Sequence, residues 1–172
     1  SRRWQAAAPG LPRFEALTGL IYAGVSLEGM QDLTEPARAA LSRECERQID
    51  AAGGIPTRNP EELLEVFTLL TWAALGLSDS GQSAAEAHWR AVERIAPTLR
   101  TLRHADGALA RFHGGGRGLD GRLDGALAAS GVKTRMPGGL AMGFARLSAG
   151  RTSVIVDAAP PPKGPASAGA HA

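Results

Sequence analysis

The sequence predicts a mainly α-helical chain that continues into β-structure near its C-terminus. Apolar residues recur at helical spacing through most of the first hundred residues, and clusters of Gly, Pro, Asn and Ser separate these segments. Short alternating runs with hairpin turns follow residue 101. Helices followed by strands are typical of a helical domain that runs into a β domain. We therefore predict a helical part over residues 1–130, including a hairpin near 101–112, and the first strands of a β domain over 131–172.

Each helical segment has its own start signal or apolar stripe. Four segments share the pattern: 12–25, 34–52, 60–77 and one that begins at Ser83. The third is apolar around most of its circumference, which indicates burial on several sides. The fourth begins with Ser83-Ala84-Ala85-Glu86, the spacing of a capping box, and would carry His88 on its solvent side. A weaker helix, interrupted by glycines, is predicted over 119–129.

Two hairpins are predicted. The first turns at Asp106-Gly107 between alternating runs, and the glycine-rich loop His113–Gly118 follows it. The second spans 140–157 and turns at Ser148–Arg151.

Composition limits the class of protein. The chain has 172 residues, enough for one domain or one and a piece, and 44% of them are hydrophobic, as in globular proteins. No apolar run approaches the roughly 18 residues of a membrane span. A net charge of +2, with basic residues spread along the chain, gives no support for a nucleic-acid partner. Cys45 is the single cysteine, which excludes an internal disulfide and a cysteine metal cluster.

Both ends of the chain suggest a fragment. It begins at Ser1 without a methionine and stops at Ala172 shortly after strand-like sequence. We therefore expect both termini to be truncated, so missing targeting signals carry no information.

The loop from Ala52 to Glu61 is the most promising place for a functional site. It joins two helices, and Asn59-Pro60 has the chemistry of a helix start. Arg58 and Asn59 would then be held at a helix mouth, where a scaffold often presents groups to a ligand. The alternative is that Asn59 serves only as the cap of the third helix.

Few other residues could carry chemistry. The candidates are Tyr22, which would either line a cavity or pack in the core, and three histidines: His104, His113 and His171. Asp106 has a turn role as its simplest interpretation. No His-Glu-x-x-His or paired-cysteine spacing is present, which argues against a self-contained zinc site. No metal or other cofactor is evident from the residues.

Several stretches occur in the same order as in bacterial heparinase II/III-like proteins. They are Gly19–Gly24, Ala51–Pro60, Leu102–Gly107, Ala149–Arg151 with Val154–Asp157, Ala159–Pro162, and Ala170–Ala172. The chain resembles this family over most of its length. The resemblance implies the last part of an α/α toroid followed by hairpins that begin an antiparallel β-sandwich.

The resemblance also implies an activity, β-elimination on an acidic polysaccharide that contains uronic acid. Such a site must neutralise the substrate carboxylate while a base removes the adjacent proton. By position, Asn59 and His171 resemble catalytic residues, and Arg58, His104, His113 and Tyr22 are assigned to substrate binding. A histidine at the place of His171 also lies near a divalent metal in the family. Periplasm or cell envelope is the location that the resemblance implies.

One departure favours a second hypothesis. Relatives often carry a tyrosine in the first sandwich strand, where this chain has Phe144, which cannot transfer a proton. We expect this fragment alone to be inactive even if the whole protein is a lyase. The alternative is a non-catalytic member of the fold that binds glycans through an arginine-lined cleft. Nucleic acid and membrane insertion are not expected, and the sequence does not indicate an oligomeric state.

Overall fold

In a computed structural model, five α-helices precede a two-stranded sheet in the part of the chain that the structure describes, residues 3–134 and 138–164. The helices are α1 (Leu11–Ser26), α2 (Thr34–Gln48), α3 (Pro60–Asp79), α4 (Glu86–Thr101) and α5 (Arg122–Ser130). The strands are β1 (Phe144–Ala149) and β2 (Thr152–Asp157), and short 3₁₀ turns lie at Arg3–Ala6 and Gln31–Leu33. The predicted order of helices and then strands is confirmed. The described strands form one hairpin and not a larger sandwich.

Helix α3 lies at the centre of the helical part. It packs against α1, α4 and α5, while α2 packs against α1 and α4. The core consists of large apolar side chains that are fully buried: Phe14, Leu17, Ile21, Leu41, Leu63, Phe67, Leu70, Leu77, Ile95 and Leu99. The predicted burial of α3 holds for most of its circumference, although Trp72 and Leu75 stay 47% and 41% exposed on its outer side. None of the described helices is long and apolar enough to cross a membrane.

Helix α4 departs from the sequence prediction at its beginning and on one face. It starts at Glu86, with Ala85 as an N-cap that makes no side-chain hydrogen bond, so the predicted capping box at Ser83 is wrong. The carbonyl of Ser83 instead accepts a hydrogen bond from Arg38 of α2, at 3.2 Å. His88, predicted on the solvent side, is buried against α3, with Nε2 2.8 Å from the carbonyl oxygen of Leu70.

The hairpin predicted near 101–112 is much shorter in the structure. Helix α4 runs to Thr101, and a single β-bridge joins Arg103 to Leu109. Two backbone bonds flank this bridge, from the amide of His104 to the carbonyl of Ala108 at 2.8 Å and from the amide of Ala110 to that of Leu102 at 2.9 Å. The amide of Leu109 faces away from the hairpin and donates to the carbonyl of Arg117 at 3.0 Å.

The C-terminal hairpin follows the sequence prediction closely. Strands β1 and β2 pair antiparallel from Phe144 opposite Asp157 to Ala149 opposite Thr152. Phe144 is fully buried, whereas Leu147 and Val154 lie opposite each other and remain exposed. The hairpin is thus anchored to the rest of the molecule at the Phe144 and Asp157 end.

Candidate functional site

The loop that precedes α3 is fixed closely against α4. Helix α2 ends at Gln48, and the carboxylate of Asp50 accepts from the amides of Ala52 and Gly54, both at 2.8 Å. Gly53 has φ 74°, and a Cβ there would lie 2.1 Å from the carbonyl oxygen of Arg94. Glycine is therefore required by both its conformation and its proximity to α4. Gly53 lies in the loop and not in α2, which ends at Gln48.

Asn59 is the N-cap of α3. Its side-chain oxygen accepts from the amides of Glu61 and Glu62 at 2.9 and 3.1 Å. Its side-chain nitrogen donates to the carbonyl of His113 at 3.2 Å. The amide of Asn59 therefore satisfies a helix end and ties the glycine-rich loop to it. The capping interpretation is confirmed, and the catalytic assignment of Asn59 stays a prediction.

The guanidinium of Arg58 is turned inward, toward the C-terminal hairpin. Nε donates to the carbonyl of Met142 at 3.0 Å, and Nη1 donates to that of Pro160 at 2.8 Å. Nη2 donates to the carboxylate of Asp157 in an ion pair. The guanidinium carbon lies 4.7 Å from the centre of the Phe144 ring, within the range of a cation–π contact. Arg58 therefore joins the helical part to the hairpin.

Asp157 also contacts His113. Nε2 of His113 lies 3.1 Å from Oδ2 of Asp157, and the imidazole is 5.8 Å from the Phe144 ring between centroids. Burial acts to raise the pKa of the Asp157 carboxyl. Hydrogen bonds from Arg58 and the Ala159 amide, with the charges of Arg58 and His113, nevertheless hold this pKa below its ordinary value. Arg58, His113, Phe144 and Asp157 form one cluster, called here the junction cluster.

Backbone strain is concentrated at the junction cluster. Among the described residues, the non-glycine positions with positive φ are Arg58 at 53°, His113 at 50° and Met142 at 52°. Arg58 and His113 belong to the cluster, and Met142 supplies a carbonyl to Arg58. Gly143 permits this approach, since a Cβ there would lie 2.7 Å from Nη2 of Arg58. Such conformations persist only where surrounding contacts hold them.

Other predicted site residues lie apart from this cluster. The hydroxyl of Tyr22 donates to the carbonyl of Trp72 at 3.0 Å, and its ring packs on Gly76. Trp72 is roughly 18 Å along α3 from its first residue, given a rise of 1.5 Å per residue. Tyr22 is therefore at the opposite end of α3 from Asn59.

His104 lies in a tight turn. Its amide donates to the carbonyl of Ala108 at 2.8 Å, and its carbonyl accepts from Gly107 at 3.1 Å. Asp106 accepts from the amide of Ala108 at 3.0 Å, which agrees with the turn interpretation. His171 lies outside the described residues. In the described ranges, no group of three or more His, Cys, Asp or Glu side chains is arranged to hold a metal.

A second feature is an open cleft between α4, α5 and β1. The alternative hypothesis expected an arginine-lined cleft but named none of the residues found here. Its volume is about 820 Å³, and four cationic side chains line it: Arg100, Arg103, Lys133 and Arg146. One carboxylate, Asp124, also lines the cleft. This cleft, defined by its four cationic residues and Asp124, is called here the basic cleft.

The sequence contained weak signals for what was missed. Asp157 follows three β-branched residues at the end of a strand, where a carboxylate is unusual unless it has a partner. The residues of the basic cleft are separated by up to 46 positions in sequence, from Arg100 to Arg146, so no local motif could identify them.

Comparison with known proteins agrees with the family resemblance. Residues 131–172 match the family model described as heparinase II/III-like, C-terminal. FtsZ-localized protein C of Caulobacter vibrioides (strain NA1000 / CB15N) is 34% identical over 158 residues, which cover 91% of this chain and 27% of that protein. The chain thus spans about a quarter of the curated relative that it matches. No solved structure matches the chain.

Proposed function

We propose that the whole protein, whose residues 131–172 match the heparinase II/III-like C-terminal family model, binds an acidic polysaccharide without cleaving it. The observation that carries this proposal is the internal use of Arg58 and Asn59. These two residues would have to neutralise a substrate carboxylate in a lyase, yet both are bonded within the chain. We thus propose that the protein keeps the fold of the family but does not carry out its lyase reaction.

Arg58 has little capacity left for a substrate. All three of its nitrogens donate to groups of this chain, and one of those groups is the carboxylate of Asp157. A uronate that recruited Arg58 would compete with Asp157 and leave that carboxylate without its closest cation. This exchange has a cost, because it breaks a charge-assisted hydrogen bond between the Arg58 side chain, which is 10% exposed, and the Asp157 side chain, which is 29% exposed.

Among the described residues, no side chain near Arg58 is free to transfer a proton. Phe144 occupies the strand position at which relatives often carry tyrosine, and it is buried beneath the guanidinium. Tyr22 belongs to the far end of α3. His113 is paired with Asp157 and is only 9% exposed. A general base must reach the proton that it removes, within hydrogen-bonding distance or through one water.

The assay of the proposal has two readouts on the whole protein. We expect it to be retained on immobilised heparin, a sulfated polymer that contains uronic acid. We expect no rise in ultraviolet absorbance when heparin or polygalacturonate is incubated with it, because unsaturated uronate products would not form. Formation of these products would contradict the proposal, and their loss in Asn59→Ala would in addition restore the catalytic assignment of Asn59.

A cellular location is proposed from the curated relative. The name of the C. vibrioides protein associates it with FtsZ, and the alignment with it covers nearly all of this chain. We propose that this protein, too, is found with FtsZ at the cell envelope. A fluorescent fusion of the whole protein should form a band that coincides with labelled FtsZ, and an even distribution in dividing cells would contradict this.

A further inference from the structure

We propose that the basic cleft is the surface that binds the acidic polysaccharide. This inference rests on the proposed function and assigns it to residues that the sequence did not identify as site residues. The cleft lies beside the junction between helices and hairpin. Residues 131–133 and Arg146, which line one side, belong to the segment that matches the heparinase II/III-like family.

Two arginines in the cleft are held in place without being neutralised. Nη1 of Arg100 donates to the carbonyl of Thr134 at 2.7 Å, and Nη2 donates to that of Val132. Nη1 of Arg146 donates to the carbonyls of Thr101, at 3.0 Å, and Arg103. A carbonyl oxygen orients a guanidinium but carries no formal charge. Both side chains are therefore preorganised cations that pair with no carboxylate among the described residues.

The remaining charges leave the cleft positive. Arg103 forms a bidentate pair with Asp124, with Nη1–Oδ1 and Nη2–Oδ2 distances of 2.7 and 2.8 Å. Lys133 is exposed and forms no ion pair with the described part of the chain. Three cations, Arg100, Lys133 and Arg146, thus remain without a carboxylate. Guanidinium groups bind carboxylate and sulfate through paired N–H groups, whereas lysine acts as a mobile point charge.

The lining favours a saccharide over other polyanions. Among the described residues, no aromatic side chain lines the cleft, so bases of a single-stranded nucleic acid would have no ring to stack on. The walls combine cations with short side chains such as Thr101, Ala128 and Gly131, and the cleft is wide and open. A hydrated chain with repeated carboxylates or sulfates suits this shape, because its hydroxyl groups need not be desolvated completely.

The cations have a structural role as well, since Arg100 and Arg146 satisfy carbonyls that follow the ends of α4 and α5. Substituting either could disturb folding. Lys133 makes no such contact and is the cleaner site for a variant. Arg90 is a matched control: it is an exposed cation of α4, outside the cleft, and pairs with Glu86.

The experiment measures heparin binding by the whole protein and its variants at about 50 mM and 150 mM salt, with dextran as the uncharged control. Lys133→Gln should weaken heparin binding roughly two- to fivefold, as for an exposed ion pair. Arg146→Gln should weaken it about tenfold, as for a charge-assisted hydrogen bond. Arg90→Gln should stay close to the unsubstituted protein. Higher salt should weaken binding and reduce the differences, because exposed charges are screened. Near-ultraviolet circular dichroism identifies any variant that fails to fold.

Other outcomes would overturn the cleft assignment, the proposed function or the choice of ligand. Heparin binding that is equal in Lys133→Gln, folded Arg146→Gln and Arg90→Gln would overturn the cleft assignment but leave the proposed function in place. Failure of the unsubstituted protein to bind heparin would overturn both. Equal binding of dextran, or tighter binding of poly-glutamate or single-stranded DNA at the cleft, would overturn the choice of an acidic polysaccharide.

Discussion

Asn59 lies where capping and catalysis make opposite demands on one side chain. As a cap it must direct its oxygen at the amides of Glu61 and Glu62, where the structure places it. As a neutraliser it would have to direct its amide N–H groups at a substrate carboxylate, yet one of them already reaches His113. The Asn59 side chain both caps α3 and holds the glycine-rich loop. We therefore expect its substitution to affect chiefly the stability of the protein.

Asn59→Ala should lower the free energy of unfolding by about 1 kcal/mol, the usual loss for an N-cap. Urea unfolding followed by circular dichroism measures this. Asn59→Ser is the matched control, because serine can still accept from the first turn of α3. It should recover most of the loss. Equal destabilisation by both substitutions would mean that the bond to His113 matters more than the cap.

Gly53 and Gly125 differ in local geometry, so substituting each with alanine should change the stability of the protein in opposite directions. Gly53 has positive φ and lies against the backbone of Arg94, whereas Gly125 lies inside α5 with no neighbour within 4 Å of a built Cβ. Gly53→Ala should therefore destabilise the protein by at least about 2 kcal/mol. Gly125→Ala should stabilise it by up to about 1 kcal/mol, since glycine is a poor helix former. Thermal unfolding of the pair compares them, and a stabilised Gly53→Ala protein would refute the argument.

Helices α1, α2 and α3 could be predicted from sequence because their signals are local. Each combines an apolar stripe with a proline near its start, and these features act within one or two turns. The beginning of α4 could not be predicted in this way. Arg38 in α2 donates to the carbonyl of Ser83, and this tertiary contact outweighs the local signal of the capping box. The face of α4 on which His88 lies could have been predicted from the sequence. It shares i, i+3, i+4 and i+7 spacing with Ala91, Val92 and Ile95, which are all buried.

The position of His88 predicts how α3 and α4 respond to acid. Burial lowers the pKa of its imidazole, against a smaller opposing effect of the hydrogen bond to Leu70. The neutral form is therefore favoured in the folded protein. A group with a lowered folded pKa stabilises above its unfolded pKa, about 6.5, and that stability is lost as the pH falls through the folded value.

We therefore expect the free energy of unfolding to decrease below about pH 6.5 as His88 is forced to take up a proton. Urea titrations between about pH 5 and 7.5 would measure this. His88→Gln should flatten the dependence, because glutamine does not titrate. His104→Gln, in the turn after α4, should retain it. A dependence that survives in His88→Gln would assign the effect to another group.

In the molecule as a whole, two of the predicted site residues, Arg58 and His113, connect the helical part to the hairpin. The sequence predicted Arg58 and Asn59 at a helix mouth and His113 in a glycine-rich loop, and these positions could be predicted because turn chemistry is local. It could not supply their partners, since Asp157 is 99 positions from Arg58 and the contact exists only after the hairpin docks. The same limit applies to the basic cleft. Arg100 and Arg146 are recognisable as cations in sequence, but their shared surface is a product of the fold.

Asp157 gives the means to test whether the junction cluster holds the hairpin in place. A two-stranded sheet is marginal by itself, and β1–β2 leaves Leu147 and Val154 exposed. Its docking therefore depends on the end at which Phe144 is buried and Asp157 meets Arg58 and His113, together with the bonds that Arg146 of β1 makes to the carbonyls after α4. Because the folded pKa of Asp157 is lowered, its ion pair stabilises fully above the ordinary aspartate pKa of about 3.9 and is lost as the pH falls through the folded value.

Asp157→Asn should consequently speed hydrogen exchange of the β1–β2 amides at neutral pH by about tenfold or more, in line with the loss of a charge-assisted hydrogen bond. Exchange in the centre of α3 should change much less, because the helical core does not depend on the pair. Below about pH 4, the substituted protein should also lose less stability in urea than the original, since one titrating carboxylate has been removed. Asp106→Asn is the control, because that turn aspartate bonds only its own loop. Equal acceleration in α3 and in β1–β2 would mean that the two parts open together, and that Arg58 and Asp157 belong to a single cooperative core.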